Sequence, residues 1–161
     1  MNQGTRVAAT PLAELVRERQ QWRKAGQSVV FTNGCFDLLH TGHVGLLEAA
    51  RGEGDRLLVG LNSDRSVAEI KGAGRPLIPE AERAEVLLGL EAVDRVVIYD
   101  EPTPLTAIEA LTPDVLVKGA DWSLEDIVGR QVVEAAGGRV ARVELVSGRS
   151  TSLILDRIRR S

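Results

Sequence analysis

The chain has 161 residues, 43% of them hydrophobic and 27% charged, with a net charge of −3. That length fits one globular domain burying roughly two-thirds of its unfolded surface. The acidic balance offers no basic face of the kind nucleic-acid binders use to displace counterions, so polynucleotide is excluded as an expected partner. A single cysteine, Cys35, rules out an internal disulfide framework and a cysteine-cluster metal site, and no run approaches the ~20 consecutive apolar residues of a membrane span.

Residues 1–9 lack the apolar core of a signal peptide and read as a flexible tail before one domain over 10–161, in a cytoplasmic protein. Thr10-Pro11 fits an N-cap with proline at the first helical position, opening a helix to about Ala25. Leu12, Leu15, Val16 and Trp22 share its apolar face, with arginines and glutamates opposite, and Trp22 reads as packing. Val29 to Thr32 is a buried strand broken by Asn33-Gly34, and Gly42 starts an amphipathic helix carrying Val44, Leu47 and Ala50 on one face. Arg56 to Asn62 is a near-continuous apolar run suited to a central parallel strand.

Asn62-Ser63-Asp64 caps a short helix reaching Lys71, and Gly72 to Pro76 is a flexible basic loop. Pro79 opens another helix, with Val86, Leu87 and Leu90 as its buried residues. A strand over Val93 to Tyr99, a helix over Thr103 to Leu111 and a strand over Asp114 to Lys118 follow. A helix near Val128 to Ala136, a fifth strand over Val140 to Val146 and a terminal helix from Ser150 complete the chain.

Strands alternating with helices predict an α/β domain, a single doubly wound, parallel, five-stranded sheet of Rossmann-like character with right-handed crossovers. Ligands bind such sheets beyond the carboxyl ends of the strands, near the switch point. The polar clusters at Thr32 to His43, Asn62 to Asp64, Lys118 to Trp122 and Ser147 to Ser152 all follow strands and are expected along that edge.

Both histidines, His40 and His43, fall where a helix begins and its unpaired N–H groups favour an anion. Zinc chemistry lacks a cysteine pair or a third histidine, so no metal site is expected from protein ligands. Asn33-Gly34-Cys35-Phe36-Asp37 has the outline of a thiol elbow, but Cys35 sits inside the expected phosphate loop, where its backbone N–H counts for more than its sulfur. The Gly-x-x-x-x-Gly-Lys-Ser/Thr and Gly-x-Gly-x-x-Gly patterns are absent after the first strand, which demotes P-loop ATPases and ordinary dehydrogenases.

Thr32-Asn33-Gly34-Cys35-Phe36-Asp37 with His40-Thr41-Gly42-His43, and the late Gly148-Arg149-Ser150-Thr151-Ser152, resembles the cytidylyltransferase-like nucleotidyltransferases. Within them the sequence is most similar to the heptose 1-phosphate adenylyltransferases, on Lys71 to Pro76, Leu90 to Asp94, Pro113 to Trp122 and Gly137-Gly138. Glycerol-phosphate cytidylyltransferases carry an Arg-Thr pair where this chain has Leu145-Val146. Bifunctional members place a sugar kinase ahead of this domain, a step that the resemblance assigns here to another chain.

The resemblance implies transfer of AMP from ATP to a heptose 1-phosphate, giving ADP-heptose and pyrophosphate, with Mg2+ held mainly by the triphosphate. It implies His40, His43 and Lys71 as catalytic residues. Nucleotide binding is carried over to Thr32, Asn33, Gly34, Cys35, Phe36, Gly42, Lys118, Gly119, Asp121, Trp122, Ser150, Thr151 and Ser152, as well as both histidines. Acceptor binding falls to Asp37, Asn62, Lys71 and Arg83, the last readable equally as a surface ion pair among glutamates. Cytidylyl or adenylyl transfer to glycerol 3-phosphate or flavin mononucleotide is the alternative, and the partners implied are ATP, a small sugar phosphate and a second copy of the chain.

Overall fold

The computed structural model describes residues 8–145 and 148–160. Five strands form one all-parallel sheet: β1 (Val29–Gly34), β2 (Arg56–Asn62), β3 (Arg95–Tyr99), β4 (Val115–Gly119) and β5 (Arg139–Val143), in the spatial order β3-β2-β1-β4-β5. The chain winds outward from β1 through β2 to β3, then crosses to the other side of β1 for β4 and β5. The helices are α1 (Leu12–Lys24), α2 (Thr41–Arg51), α3 (Asp64–Lys71), α4 (Glu80–Leu88), α5 (Leu105–Leu111), α6 (Arg130–Ala135) and α7 (Thr151–Arg160).

Alternation along the strands sorts the core into two layers, as a period of two dictates. Val30, Leu57, Val59, Leu61, Val96 and Val117 face α2 and α4, packing on Leu47, Ala50, Ala84 and Leu87. Val29, Phe31, Leu58, Val97 and Leu116 face the other way, onto Leu15 of α1, Ala107, Ile108 and Leu111 of α5, and Val133 of α6. Because both faces are covered, β1 and β2 carry near-continuous apolar stretches, Val29 to Phe31 and Leu57 to Leu61.

Several details differ from the sequence reading, among them Leu90, which lies beyond the end of α4 at Leu88, and the start of β3, at Arg95 rather than Val93. Thr10 does not cap α1; its N–H donates to Val96 O of the edge strand at 2.7 Å, Ala9 packs against the core, and Pro11 O accepts the first helical N–H groups. The remainder of the expected tail lies outside the described residues. Arg19 of α1 is buried rather than solvated, because the C-terminal end of α5 and Asp114 supply acceptors: Nε donates to Leu111 O at 3.3 Å, and Nη2 to Thr112 O at 3.1 Å and Asp114 Oδ1 at 2.9 Å.

Val86 is 53% exposed, since the inward stripe of α4 is Arg83, Ala84 and Leu87. Helix α2 begins at Thr41, with His40 as its N-cap. Strand β5 ends at Val143, and Val146, expected within it, lies outside the described residues. Trp22 packs as expected, with the Arg56 guanidinium 5.6 Å from its ring.

Candidate functional site

The sheet opens at its switch point. Strand β1 pairs with β2 over six positions, Val29 to Gly34, but with β4 only at Val30↔Val115 and Phe31↔Leu116. Beyond Phe31 the Thr32 hydroxyl carries the contact, donating to Val117 O at 3.1 Å. The crevice that follows is a cavity of about 580 Å³, lined from β1, β2, β3 and β4 and by the segment leading into α7. Parallel sheets place their ligand sites at such a crevice.

Its floor is the turn after β1. Phe36 holds φ at +47°, a left-handed conformation uncommon for an aromatic residue, and is nonetheless buried. Its ring lies under the turn: a Cβ on Gly34 would stand 3.0 Å from Phe36 Cε2, and the His43 ring centroid is 5.3 Å away.

The two histidines form the first turn of α2 together. The Gly42 N–H donates to His40 Nδ1 at 3.1 Å, and the His40 N–H donates to His43 Nδ1 at 3.3 Å. With Nδ1 used as an acceptor in each ring, the proton of the neutral imidazole resides on Nε2. Burial, with His40 beside it, holds His43 down at about 4; burial and Arg149 lower His40 as well. The corner therefore offers two neutral Nε2–H donors beside a helix N-terminus. Gly42 permits this, because a Cβ there would stand 2.8 Å from the His40 ring.

Lys118, Gly119, Asp121 and Trp122, following β4, line the opposite wall. Lys118 Nζ lies 5.3 Å from the Trp122 ring centroid, and burial pushes it down to about 8 against the opposing pull of Asp121 and Cys35. Ser150 caps α7 by accepting the Leu153 N–H at 3.2 Å, while the Thr151 hydroxyl donates to Leu38 O at 3.1 Å and ties α7 to the histidine turn. Ser152 lines the cavity; Ser147 lies outside the described residues.

The third wall comes from β2 and β3. Tyr99 OH accepts from Asn33 Nδ2 at 3.1 Å and donates to Asn62 Oδ1 at 3.0 Å; Asn62 Nδ2 donates to Ser66 Oγ at 2.9 Å. The Cys35 thiol points toward Asn62 Oδ1 at 3.9 Å, and burial raises its pKa despite Lys71, Arg83 and Arg75. Lys71, the last residue of α3, lines the cavity from an exposed position.

Arg83 is the residue that the structure does not bring to the cavity. Its side chain is fully buried behind the wall, with Nε donating to Ile78 O at 2.8 Å, Nη1 to Cys35 O at 2.6 Å and Asn62 O at 2.9 Å, and Nη2 to Asp64 Oδ1 at 2.8 Å. Three carbonyl oxygens and a carboxylate occupy the guanidinium, so neither the surface pair nor the acceptor clamp expected from sequence describes it. Asp37 borders the cavity but is itself 5% exposed, its oxygens taken by Arg75, Leu77 and Ile78. Sequence reasoning missed Tyr99, Arg75 and Arg149 as lining residues; the polar ending of β3 was the one available signal for Tyr99. Among the described residues, no three His, Cys, Asp or Glu side chains come together as a metal site.

The cytidylyltransferase-like family model matches residues 31–154, from the end of β1 into α7. The chain belongs to the cytidylyltransferase-like family. Curated relatives named bifunctional protein HldE are 61% identical over 133 residues in Citrifermentans bemidjiense and 52% identical over 152 residues in Hyphomonas neptunium. These alignments cover 83% and 94% of this chain but 27% and 31% of the relatives, so the chain spans under a third of their length. A crystal structure of a lipopolysaccharide core biosynthesis protein from Thermoplasma volcanium is 26% identical, with a TM-score of 0.61 over 75% of this chain and 98% of that one. The family likeness thus covers the whole crevice, and the fold is that of a nucleotidyltransferase.

Proposed function

We propose that the chain is an adenylyltransferase that moves AMP from ATP to a heptose 1-phosphate, releasing pyrophosphate. The observation carrying this reading is the histidine pair, whose Nδ1 atoms are taken by backbone N–H groups, leaving the Nε2–H groups without a hydrogen-bond partner among the described residues, at a helix N-terminus by the sheet's switch point. The similarity to HldE proteins over most of the chain, and to a lipopolysaccharide core biosynthesis protein in fold, supports the heptose acceptor.

In this mechanism an oxygen of the acceptor phosphate attacks the α-phosphorus of ATP. The new O–P bond forms as the bond to the bridging oxygen breaks, and the electron pair leaves with pyrophosphate. Little covalent chemistry falls to the protein, so rate comes from positioning and from donors aimed at growing charge. His40 and His43 meet the α-phosphate oxygens, with the α2 N-terminus behind them. Ser150, Thr151 and Ser152 serve the β- and γ-phosphates, a role for which Thr151 exchanges its bond to Leu38 O. Lys118, Gly119, Asp121 and Trp122 hold base and ribose against the Trp122 face, and Thr32 to Phe36 form the floor beneath the phosphates. Lys71 approaches the reacting phosphates from the acceptor side, with Asn62 oriented by Tyr99.

Mg2+, where bound, would be held by triphosphate and water oxygens and would supply neutralising charge to the leaving phosphates. No helix among the described residues is long and apolar enough to cross a membrane, and dependence on ATP supports a cytoplasmic setting. The homodimer implied by the resemblance belongs to this reading and is tested by light scattering.

The test of the reaction is pyrophosphate release with ATP, CTP, GTP and UTP against heptose 1-phosphate, other sugar 1-phosphates, glycerol 3-phosphate and flavin mononucleotide. ATP with heptose 1-phosphate is expected to lead; a lead by CTP with glycerol 3-phosphate overturns the reading.

A further inference from the structure

Next to the histidine turn stands an ion pair that the mechanism above does not use. Asp37 is 1% exposed in its side chain and receives Arg75 Nε at 2.7 Å on Oδ2. It also accepts the Ile78 N–H at 3.0 Å and the Leu77 N–H at 2.9 Å on Oδ1 and 3.0 Å on Oδ2. Burial alone would raise its pKa, but these backbone donors and Arg75 outweigh it and lower it, so the carboxylate is ionised.

Both Asp37 oxygens are thus engaged within the protein, while Arg75 has donors to spare. Its Nε is anchored, and among the described residues Nη1 and Nη2 have no hydrogen-bond partner. The side chain is 20% exposed and lines the cavity. Arg75 follows Gly72 and Gly74, at φ of +94° and +87°, in a segment that Asp37 holds against the corner. Asp37 is three residues from His40, a separation that limits their Cα atoms to about 11 Å. A guanidinium fixed by a buried carboxylate and presenting its outer fork is preorganised for a planar, bidentate grip on a phosphate.

We infer that Arg75 is the clamp for the acceptor's phosphate monoester and that Asp37 is its positioning residue, touching no substrate itself. This rests on the reading that the acceptor is a phosphate monoester. It reassigns Asp37 from ligand to support and places Arg75 where Arg83 was expected.

The test titrates heptose 1-phosphate, and separately inorganic phosphate, into full-length protein saturated with α,β-methylene ATP. Wild type is expected to bind both. Arg75→Ala should weaken both by about 10- to 100-fold, the range of a lost charge-assisted pair, with analogue affinity changed less than about threefold. Arg75→Lys should recover only part of this loss, because an ammonium keeps the charge without the fork. Asp37→Asn should weaken phosphate in the same direction without altering analogue affinity, a split that general loosening of the fold would not produce. Arg75-dependent binding of inorganic phosphate without binding of heptose 1-phosphate supports the clamp and overturns the heptose assignment. Failure of both ligands to bind wild type, or equal binding to wild type and Arg75→Ala, overturns the clamp even if pyrophosphate release with heptose 1-phosphate stands.

Discussion

His40 and His43 stack ring on ring, with centroids 3.9 Å apart and planes 28° from parallel. Two imidazolium ions at that spacing would repel, and burial adds to the cost of charging either ring. The pair is consequently a neutral donor pair at physiological pH, unlike the cationic pair that two histidines beside a phosphate first suggest.

An NMR titration of the ring C–H signals should therefore show His43 titrating at about 4. The sign for stability follows. The folded-state pKa lies below the unfolded value near 6.5, so the unfolded chain takes up the proton first as pH falls. The His43 contribution is present above about 6.5 and lost as pH falls toward 4. Replacing His43 by Gln should remove that part of the acid sensitivity, read as a smaller difference between urea midpoints at pH 7 and pH 5.

Gly42 tests the same geometry from the backbone. A Cβ there meets the His40 ring at 2.8 Å and Arg149 Cβ at 3.3 Å. Gly42→Ala should displace the His40 donor and lower kcat by about 10²- to 10³-fold, the cost of one oxyanion donor. Its urea midpoint should change little, since the helix-forming gain of alanine offsets the lost His40 cap.

Arg83 is expected to act on stability. Arg83→Ala leaves Ile78, Cys35 and Asn62 carbonyls without their donor and Asp64 without its cation. A loss of about 3–5 kcal/mol in urea unfolding follows; a raised acceptor KM at unchanged stability would restore the acceptor role.

The sheet and the edge that carries the site were legible because both rest on local signals. The near-continuous apolar run of β2 marked a buried parallel strand, and polar clusters after β1 and β4 marked the edge. What escaped depends on tertiary partners. Nothing within α4 shows that the Arg83 guanidinium would meet carbonyls from three other segments, and nothing within α1 shows that Arg19 would meet the end of α5. Arg75 and Tyr99 were equally hidden, since one is defined by Asp37, 38 residues away, and the other by Asn33, 66 residues away.

Cys35 separates direct transfer from a covalent route. Its raised pKa and its contact with Asn62 Oδ1 describe a resting thiol. Cys35→Ser should keep most of its turnover, and transfer from ATP chiral at the α-phosphorus should proceed with inversion. Retention, together with loss of turnover in Cys35→Ser, would establish a double displacement through the thiol.

The histidine pair as the seat of adenylyl transfer is tested most directly by pyrophosphate release from ATP and heptose 1-phosphate in His43→Ala, alongside binding of α,β-methylene ATP. Turnover reduced by at least about 10²-fold, with an unchanged circular dichroism spectrum and analogue affinity within a few-fold of wild type, is the expected result. Turnover near wild type would contradict it.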